Sequence, residues 1–539
     1  MENEKNKNKI TLYIILALIL GSIVGTIGAT AAFSMRPTHI DIGKASGNTK
    51  MDAIWQLVER NYVDDIDNDS VMDRVYASML ASLDPHSIYL SGKELESEKE
   101  SIRGNFDGVG ILLMKHHDTV CVAQVIPGGP SQHAGILPCD RILKVDGIDI
   151  TSKITPIDSV VTMLRGPRRS TVEITVLRYG TTKPQTFKVV RGKITTPSVA
   201  YSGMIDKTTG FVRLDRFSET TYNEFCYAVS SLKQQGMTSL VLDLRNNGGG
   251  LLSEAIDICD ELLPGREMIV YTKGRHQRRK EERSRPGGLF CEGKLTVLID
   301  EYSASASEIV AGAIQDNDRG IIVGRRSFGK GLVQQMFDLP DKSALRLTTA
   351  RYYTPSGRCI QRPYDRGSDE YYAEFIQHLV DEYNNDSILS QINDSTPYHT
   401  AKGRIVYGGG GIYPDHTVHY KTDKNIVYYN QLINKAIISD FTFDYATANG
   451  TKIKKQYPNE NDFIERYHVS DAMLQQLFAR ADKAGIERDT KCIDFYREEI
   501  RSRVKASIGN TLYSNAAFYA TLLKYDLELR EAIEVKNTL

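Results

Sequence analysis

Residues 294–316, KLTVLIDEYSASASEIVAGAIQD, join an apolar run to a helical pattern through a short polar break. The run from Leu295 to Ile299 is apolar apart from Thr296, whereas the apolar residues after the break recur at helical spacing. This order predicts a strand, a tight turn and a helix. Ser305 falls at the turn, where its hydroxyl would be exposed beside the free backbone N–H groups of the helix start.

A second stretch, residues 320–339 (GIIVGRRSFGKGLVQQMFDL), has a lysine between two glycines at the entry to another apolar run. Lys330 and Gln334 are four residues apart, so on one strand they would point to the same face. A serine hydroxyl needs a base, and a lysine can act as one only as the neutral amine. The two stretches therefore predict the two halves of a serine peptidase site, in which burial lowers the pKa of Lys330 by roughly 3 units.

Both halves also have simpler interpretations. Ser305 and Glu308 have the spacing of a capping box, in which the serine only caps the helix. The segment from Gly324 to Lys330 nearly matches a phosphate-binding loop, but Gly331 stands where a Ser or Thr would bind Mg²⁺. The strand-like run that follows also disfavours a phosphate site, because such a site needs a helix start. Nucleotide binding is therefore the weaker alternative.

These motifs resemble those of the C-terminal processing peptidases, also called tail-specific proteases. The resemblance rests on Ser-Ala-Ser-Ala-Ser-Glu (303–308), Ser-Phe-Gly-Lys-Gly (327–331) and Gln334, with further family segments between about residue 51 and about residue 416. One such segment is the DPHS turn at residues 84–87, whose histidine we interpret as a packing residue. The resemblance implies that Ser305 is the nucleophile, Lys330 its base and Gln334 a support for the lysine. It implies no cofactor and no metal.

A glycine-rich segment, DLRNNGGG at residues 243–250, follows a predicted strand and precedes a predicted helix. The family pattern here is N-P-G-G, so Gly248 replaces the proline and loosens the turn, whereas Gly249 and Gly250 match. Glycine lets backbone N–H groups face a ligand without a side chain in the way. By the resemblance, one oxyanion donor is the N–H of Gly249 or Gly250, and the other is that of Ala306. The alternative is a glycine turn without a chemical role.

Residues 104–195 combine strand-like runs with two helical stretches, which predicts a compact β-rich module. Its glycine motifs at residues 108–111, 128–136 and 140–147 resemble those of a PDZ domain. By that resemblance, the chain beyond the first motif pairs with a bound peptide as an added strand. Arg165 matches a family arginine that senses bound peptide, and Cys139 replaces the glycine of the usual G-D-x-I turn, which predicts local strain. The loop that holds the peptide's terminal carboxylate consists of Gly108, Val109, Gly110 and Ile111.

Apolar runs alternate with helical stretches from about residue 196 to about residue 424, which predicts an α/β layer fold. The family resemblance implies a core of the type shared by crotonases and the Clp peptidase. We therefore predict an α/β multidomain chain. Its parts are a cytoplasmic tail with a membrane anchor or signal (1–36), an N-terminal helical segment (37–103), a PDZ domain (104–195), a serine peptidase core (196–424) with an insertion at about 365–407, and a C-terminal helical region (425–539).

Composition indicates a globular protein. The 539 residues carry a net charge of −1, with 25% charged and 41% hydrophobic residues. Such a balance does not predict a nucleic-acid binder. The seven cysteines include no C-x-x-C pair, so the sequence predicts neither a metal knuckle nor a dense disulfide framework.

The N-terminus predicts export. Residues 10–35 are uncharged and follow a lysine-rich start, and the stretch is long enough to cross a bilayer as one helix. Lysines before such a helix predict a cytoplasmic tail and an exported body. Residues 29–31, Ala-Thr-Ala, have the form of a signal-peptidase site, so cleavage is the alternative. We expect a single-pass protein of the cell membrane whose catalytic region is extracytoplasmic, or periplasmic in a cell with two membranes.

Together these features predict a serine endopeptidase that cleaves exported proteins recognised by their C-terminal tails. The predicted partners are unfolded or flexible protein C-termini and the membrane. A lipoprotein adaptor, as in some family members, and a homo-oligomer are candidates that the sequence leaves open. The alternative is a protein without enzymatic activity, a membrane-tethered PDZ scaffold on an inactive peptidase fold. Loss of the serine or the lysine would favour this alternative, but both residues are present.

Overall fold

The structure is a computed structural model that describes residues 47–151, 155–383, 397–419 and 426–538. The predicted anchor at residues 10–35 and part of the predicted insertion lie outside these residues. Across the described ranges, we find no helix of sufficient length and apolarity to span a bilayer. The chain forms two compact units that divide between Arg74 and Val75.

The segment before the PDZ module is mainly helical, as predicted. Its helices are α1 (Gly47–Asn61), α2 (Asn68–Ala81) and α3 (Gly92–Arg103). Helix α3 begins where the backbone N–H of Ser91 donates to the carboxylate of Glu94 at 2.9 Å. The segment also contains a short strand that the sequence did not predict, β1 (Ile88–Leu90), which pairs antiparallel with a strand of the peptidase core.

The PDZ module contains a six-stranded sheet in the order β3-β4-β5-β7-β8, with β6 paired to β5. Strands β2 and β9 form a separate two-stranded sheet. Strand β3 is the outer strand of this sheet, so among the described residues its second edge has no strand partner. The elements are β2 (Asn105–Gly108), β3 (Ile111–His116), β4 (Thr119–Val125), α4 (Pro130–Ala134), β5 (Arg141–Val145), β6 (Ile148–Asp149), α5 (Ile157–Leu164), β7 (Thr171–Leu177), β8 (Gln185–Val190) and β9 (Gly192–Thr195).

Cys139 occupies a strained turn of this module. Its φ is +70°, a left-handed conformation that favours glycine over residues with a Cβ. The strain predicted from the replaced glycine is therefore confirmed. The Cys139 side chain packs in a small apolar cluster with Cys121 and with Phe443 of the C-terminal helical region.

The peptidase core contains a six-stranded sheet in the order β10-β11-β12-β15-β16-β21, in which β11, β12, β15, β16 and β21 run parallel. A second sheet joins β1, β18, β13 and β14, with β17 paired to β18. The strands are β10 (Val199–Met204), β11 (Thr209–Leu214), β12 (Ser239–Asp243), β13 (Met268–Lys273), β14 (Lys280–Arg283), β15 (Lys294–Ile299), β16 (Ile321–Gly324), β17 (Leu332–Asp338), β18 (Ala344–Tyr353), β19 (Pro397–His399), β20 (Ile405–Tyr407) and β21 (His416–Thr417).

Three helices pack on one face of the parallel sheet and form the main apolar core with its inward-facing residues. They are α6 (Thr221–Gln234), α7 (Leu252–Leu262) and α8 (Ala306–Asp316). The predicted insertion contains a further helix, α9 (Ser368–Tyr383), and the short β19–β20 pair. The predicted alternation of strands and helices is present in the core, although β13 and β18 belong to the second sheet.

The C-terminal region is helical, as predicted, and has its own apolar core. It contacts the PDZ module, because the ring nitrogens of His116 lie 3.1 Å from Asp440 and 2.7 Å from Asp444. Its last helix packs on the second face of the parallel sheet. The helices are α10 (Val427–Asn434), α11 (Ile437–Gln456), α12 (Glu460–Arg466), α13 (Asp471–Lys483), α14 (Thr490–Leu512), α15 (Asn515–Leu522), a 3₁₀ turn (Leu523–Tyr525) and α16 (Leu527–Thr538).

Candidate active site

Ser305 lies at a strained turn between strand β15 and helix α8. Its φ of +56° and ψ of −111° lie outside the regions that non-glycine residues prefer. Strain of this kind persists where the surrounding structure fixes it. Here the turn is fixed by Ser303, whose backbone N–H and hydroxyl both hydrogen-bond Asp300. The predicted strand, turn and helix are confirmed.

The glycine-rich segment after β12 lies directly against this turn. A Cβ placed on Gly249 would be 2.8 Å from the Cβ of Ser305 and 2.9 Å from the backbone nitrogen of Ala306. The Gly249 N–H donates to the side-chain oxygen of Asn247 at 2.9 Å. Within the described residues, the N–H groups of Gly250 and Ala306 make no hydrogen bond. Of the two predicted glycine donors, Gly249 therefore lies against the serine turn with its N–H already bonded to Asn247, whereas the N–H of Gly250 has no hydrogen bond among the described residues.

We expect Gly249→Ala to lower kcat/KM by about 10²-fold, because a small displacement of reacting groups has an effect of this order. The added methyl group would clash with the Ala304 carbonyl at 2.7 Å, and the φ of +97° is also unfavourable for alanine. The measurement is steady-state cleavage of a fluorogenic peptide by folded variants. Gly248→Ala is the control, because a Cβ there meets nothing within 4 Å. Equal activity of both variants would contradict the close approach.

Glu308 connects the serine turn to the lysine segment. One carboxylate oxygen accepts hydrogen bonds from the backbone N–H groups of Ser305 at 2.8 Å and Lys330 at 2.9 Å. The other accepts from the N–H of Gly329 at 2.7 Å and the hydroxyl of Ser327 at 2.5 Å. Burial raises the pKa of Glu308 to about 7, although these donated hydrogen bonds favour the ionised form. The capping-box spacing identified Glu308 but not its bonds to the lysine segment.

Two further contacts join the same segments. The Tyr352 hydroxyl lies 2.8 Å from the carbonyl oxygen of Lys330 and 3.2 Å from that of Ser305. The Phe328 N–H donates to the Ser303 carbonyl at 3.0 Å. The structure therefore brings the two predicted half-sites together, although Ser305 and Lys330 are 25 positions apart in the sequence.

The environment of Lys330 favours the neutral amine. Burial, with a smaller contribution from the positive charge of Arg346, lowers the pKa of Lys330 from 10.5 to about 8, while Glu308, Glu98 and Asp84 oppose the shift. The direction of this pKa shift agrees with the mechanism expected from the sequence. A lysine with this pKa has an appreciable neutral fraction near pH 8.

Gln334 is placed differently from the expectation. Lys330 precedes β17, which begins at Leu332, so strand alternation does not extend to the lysine, and the bulge beside Val333 and Gln334 leaves its unpaired residue, Thr349, on β18. The Gln334 amide donates to the Thr348 hydroxyl at 3.4 Å. Within the described part of the chain, Gln334 makes no hydrogen bond to Lys330. Its support of the lysine remains a prediction.

His86, interpreted from the sequence as a packing residue, is buried close to this site. Burial and the nearby charge of Lys330 lower the pKa of His86 to about 3, so its ring is neutral. Its Nε2 lies 3.2 Å from the Tyr371 hydroxyl, and its ring packs near that of Phe328. Asp84 accepts the backbone N–H of His86 at 2.8 Å, which fixes the turn. Sequence reasoning found this turn but missed its proximity to the lysine.

The predicted peptide loop lies where β2 passes into the outer strand β3. Gly108 pairs with Gly192 at the end of β2, Val109 is buried, Gly110 has a left-handed φ of +75°, and Ile111 opens β3. The loop therefore leads to the sheet edge that has no strand partner among the described residues. A peptide could be added there as a further strand.

Arg165 ends helix α5 and contacts the helix that precedes the PDZ module. Its guanidinium donates to Glu100 at 2.6 Å and lies 4.7 Å from the ring centroid of Phe106. The same helix, α3, carries Glu98, which pairs at 2.7 Å with Arg346. Arg346 is the arginine whose charge helps to lower the pKa of Lys330. Helix α3 thus contacts both the predicted peptide sensor and an arginine whose charge acts on Lys330.

Two other types of site can be compared with the structure. A phosphate-binding loop needs a helix after Lys330, but β17 is a strand, which argues against the nucleotide-binding alternative. The described residues whose atoms could converge on a metal ion are His116, His117 and Asp444, within 4.8 Å of one another. Both ring nitrogens of His116 already lie within hydrogen-bond distance of carboxylates, at 3.1 Å from Asp440 and 2.7 Å from Asp444, so these contacts account for the position of its ring.

Comparison with known families divides the chain in the same way. Residues 208–365 match peptidase family S41, and residues 121–178 match a PDZ domain. Residues 428–514 match a family of unknown function. These matches fall in the α/β core, the β-rich module and the C-terminal helical region.

Sequence relatives match more than half of the chain. The carboxy-terminal-processing protease of Bartonella bacilliformis is 39% identical over 313 residues, which are 57% of this chain and 71% of the relative. The carboxyl-terminal-processing protease of Synechocystis is 35% identical over 317 residues, which are 57% of this chain and 73% of the relative. A solved photosystem II D1 C-terminal processing protease is 30% identical and covers 59% of this chain and 91% of its own, with a TM-score of 0.34.

Proposed function

The chain belongs to the carboxyl-terminal processing proteases of peptidase family S41 and carries a PDZ domain, and from that premise we propose that Ser305 and Lys330 form its catalytic dyad. The observation that carries the proposal is the buried carboxylate of Glu308, which holds the backbone N–H groups of both residues. The depressed pKa of Lys330 supports the same assignment, because a base must be neutral to accept a proton.

In the proposed reaction, the neutral amine of Lys330 takes the proton of the Ser305 hydroxyl, and the oxygen attacks the scissile carbonyl carbon. The backbone N–H groups of Ala306 and Gly250 hold the oxyanion, with Gly249 as a further donor if it leaves Asn247. The protonated lysine then gives its proton to the leaving amine. Water, deprotonated by the same lysine, attacks the acyl carbon, and the lysine returns this proton to the Ser305 oxygen as the acyl C–O bond breaks and the acid product leaves.

We further propose that substrates are recognised by their C-terminal tails. A tail would lie along the free edge of β3 as an added strand, with its terminal carboxylate at residues 108–111. The remaining chain must reach Ser305 as an extended strand, so substrates are unfolded or flexible near the cleavage site. We also propose that the core is of the type shared by crotonases and the Clp peptidase. In this proposal, the parallel sheet supports the catalytic site.

The proposed location follows from the sequence. The uncharged stretch at residues 10–35 would anchor the chain in the cell membrane and leave the peptidase outside the cytoplasm, where exported proteins are its substrates. Separation of membranes from soluble fractions, combined with protease protection in intact cells, tests this location. Protection of the full chain by an intact inner membrane would contradict it.

The function is tested by incubating the full chain with a flexible protein that ends in apolar residues, and with the same protein ending in two aspartates. We expect faster cleavage of the apolar tail, because acidic side chains in a PDZ groove would be desolvated without partners. Mass spectrometry of the products gives the cleavage site. Equal rates for both tails would contradict recognition by the tail, whereas absence of cleavage of either would contradict the peptidase assignment.

Arg165→Ala is expected to slow cleavage of intact tails severalfold and to leave cleavage of short peptides unchanged. The residue contacts Glu100 and Phe106 rather than the serine or lysine, so its loss would act through the PDZ module. The measurement is kcat/KM for both substrate types. Arg168→Ala, an exposed arginine of the same turn, is the control. A variant that cleaves both substrate types at the normal rate would remove Arg165 from the coupling.

A further inference from the structure

The last helix of the chain covers the face of the parallel sheet that α6, α7 and α8 leave open. Leu529 and Ala532 of α16 are buried in a cluster with Phe211, Val241, Leu298 and Val323, which come from four adjacent strands. The backbone of α16 is therefore fixed on the sheet by apolar packing. Its first residues lie at the carboxyl ends of these parallel strands, where the catalytic segments begin.

Two carboxylates at the start of α16 bind two arginines of these segments. Arg245 donates to both oxygens of Asp526, at 3.0 and 2.6 Å, and also to Glu528. Arg325 donates to the second oxygen of Glu528, and at 2.7 Å to Glu301. The side chains of Arg245, Glu528 and Arg325 are 12%, 11% and 7% exposed, so solvent screens these pairs weakly. Glu528 is thus shared between two arginines.

The two arginines stand at the entrances of the two loops that flank the nucleophile. Arg245 immediately precedes Asn246, whose N–H is held by Asp300 at 2.9 Å, and the oxyanion segment follows. Arg325 follows β16 and opens the loop that carries Lys330. In the sheet, β12 and β16 lie on either side of β15, the strand that leads to Ser305. Glu528 therefore connects the segments that follow β12 and β16 across the end of β15, which lies between these two strands.

We propose that Asp526 and Glu528 are positioning residues of the peptidase, which set the spacing between the oxyanion segment and the lysine loop. This inference rests on the proposed dyad. Removing the charge of Glu528 takes away the carboxylate that Arg245 and Arg325 share, in a site where these side chains are largely buried, although Arg245 keeps Asp243 and Asp526 and Arg325 keeps Glu301. Like charges in such a site repel, so the two loop entrances would separate.

The test is Glu528→Gln in the full chain, with two readouts at a temperature where circular dichroism shows the variant folded. We expect kcat for a short peptide to fall by about 10- to 100-fold with little change in KM, since misplacement of about 1 Å has effects of this order. The rate of Ser305 labelling by a fluorophosphonate should fall by the same factor, because that reaction needs the same nucleophile and oxyanion donors.

Two variants keep the result interpretable. Glu534→Gln makes the same change at an exposed position of the same helix and should leave both rates unchanged. Asp526→Asn should lower both rates less, because Arg245 keeps Asp243 and Glu528, and it serves as the test if Glu528→Gln does not fold. Glu528→Asp keeps the charge and should recover part of the lost kcat.

Two outcomes would overturn the inference: unchanged kcat and labelling in folded Glu528→Gln, or a loss confined to KM. If Glu528→Gln does not fold, unchanged rates in Asp526→Asn would overturn it. Failure of the proposed function is distinguishable, because the unmodified chain would then fail to label at Ser305.

Discussion

Replacement of Ser305 by alanine is expected to lower kcat/KM for peptide cleavage by at least about 10⁴-fold, since without the nucleophile only substrate positioning and the oxyanion donors remain. The loss should appear in kcat, because the serine hydroxyl acts on the reacting carbonyl and contributes little to binding of the tail. The measurement is steady-state cleavage of a protein substrate with an intact C-terminal tail, at substrate concentrations above KM. The melting temperature should stay close to that of the unmodified chain.

Ser202→Ala is the matched control, because Ser202 is an exposed serine on strand β10 of the same core. We expect it to cleave at the normal rate. If Ser305→Ala retained more than a small fraction of the activity while Ser202→Ala behaved normally, the nucleophile would have to be a different residue.

Lys330→Met is expected to lower kcat/KM by about 10²- to 10⁴-fold, the contribution of a positioned general base. Methionine has a similar length and keeps the apolar packing, so the loss can be assigned to the amine. In the unmodified chain, kcat/KM should rise with pH through about 8, the pKa of Lys330, and level off above it, because only the neutral amine accepts the serine proton. The residual activity of the variant should lack this rise.

Lys207→Met, at an exposed turn between β10 and β11, is the control for loss of a lysine and should keep both the rate and the pH profile. A Lys330→Met variant with the same pH profile as the unmodified chain would show that another group titrates in the reaction. Glu308 would then be the group to examine, since its pKa is about 7.

The same pKa shift predicts how stability depends on pH. Burial lowers the pKa of Lys330 from 10.5 to about 8, so between these values the unfolded chain binds more protons than the folded chain. The contribution of this residue therefore raises the free energy of unfolding as pH rises from 8 towards 10.5. At pH 7 the lysine is protonated in both states, so the cost of burying its charge lowers the free energy of unfolding in full. For the same reason, Lys330→Met should unfold at a higher temperature than the unmodified chain at pH 7.

Local patterns were sufficient to predict the elements that carry the site. The apolar run at 295–299, the polar break and the helical spacing after it predicted the turn at Ser305, and the structure has that turn. The strand after Lys330 was predicted in the same way. Such features depend on neighbours in the sequence, which is why periodicity and turn residues reveal them.

Contacts between distant segments could not be predicted in this way. The spacing of Ser305 and Glu308 showed a capping box, but the bonds from Glu308 to the lysine loop depend on the packing of two strands. The alternation argument for Gln334 did not apply because Lys330 lies before the start of β17, which no local pattern indicated. The bonds from Glu528 to the loop entrances join residues 203 and 283 positions apart, and the sequence assigned no role to the C-terminal helical region.

The most direct test of the central claim is to label the full chain with a fluorophosphonate and to locate the adduct by tandem mass spectrometry. The account predicts one adduct, on Ser305, that forms faster as pH rises through about 8 and forms slowly in Lys330→Met. An adduct on a different residue, or labelling of Ser305 at the same rate without Lys330, would contradict the proposed dyad.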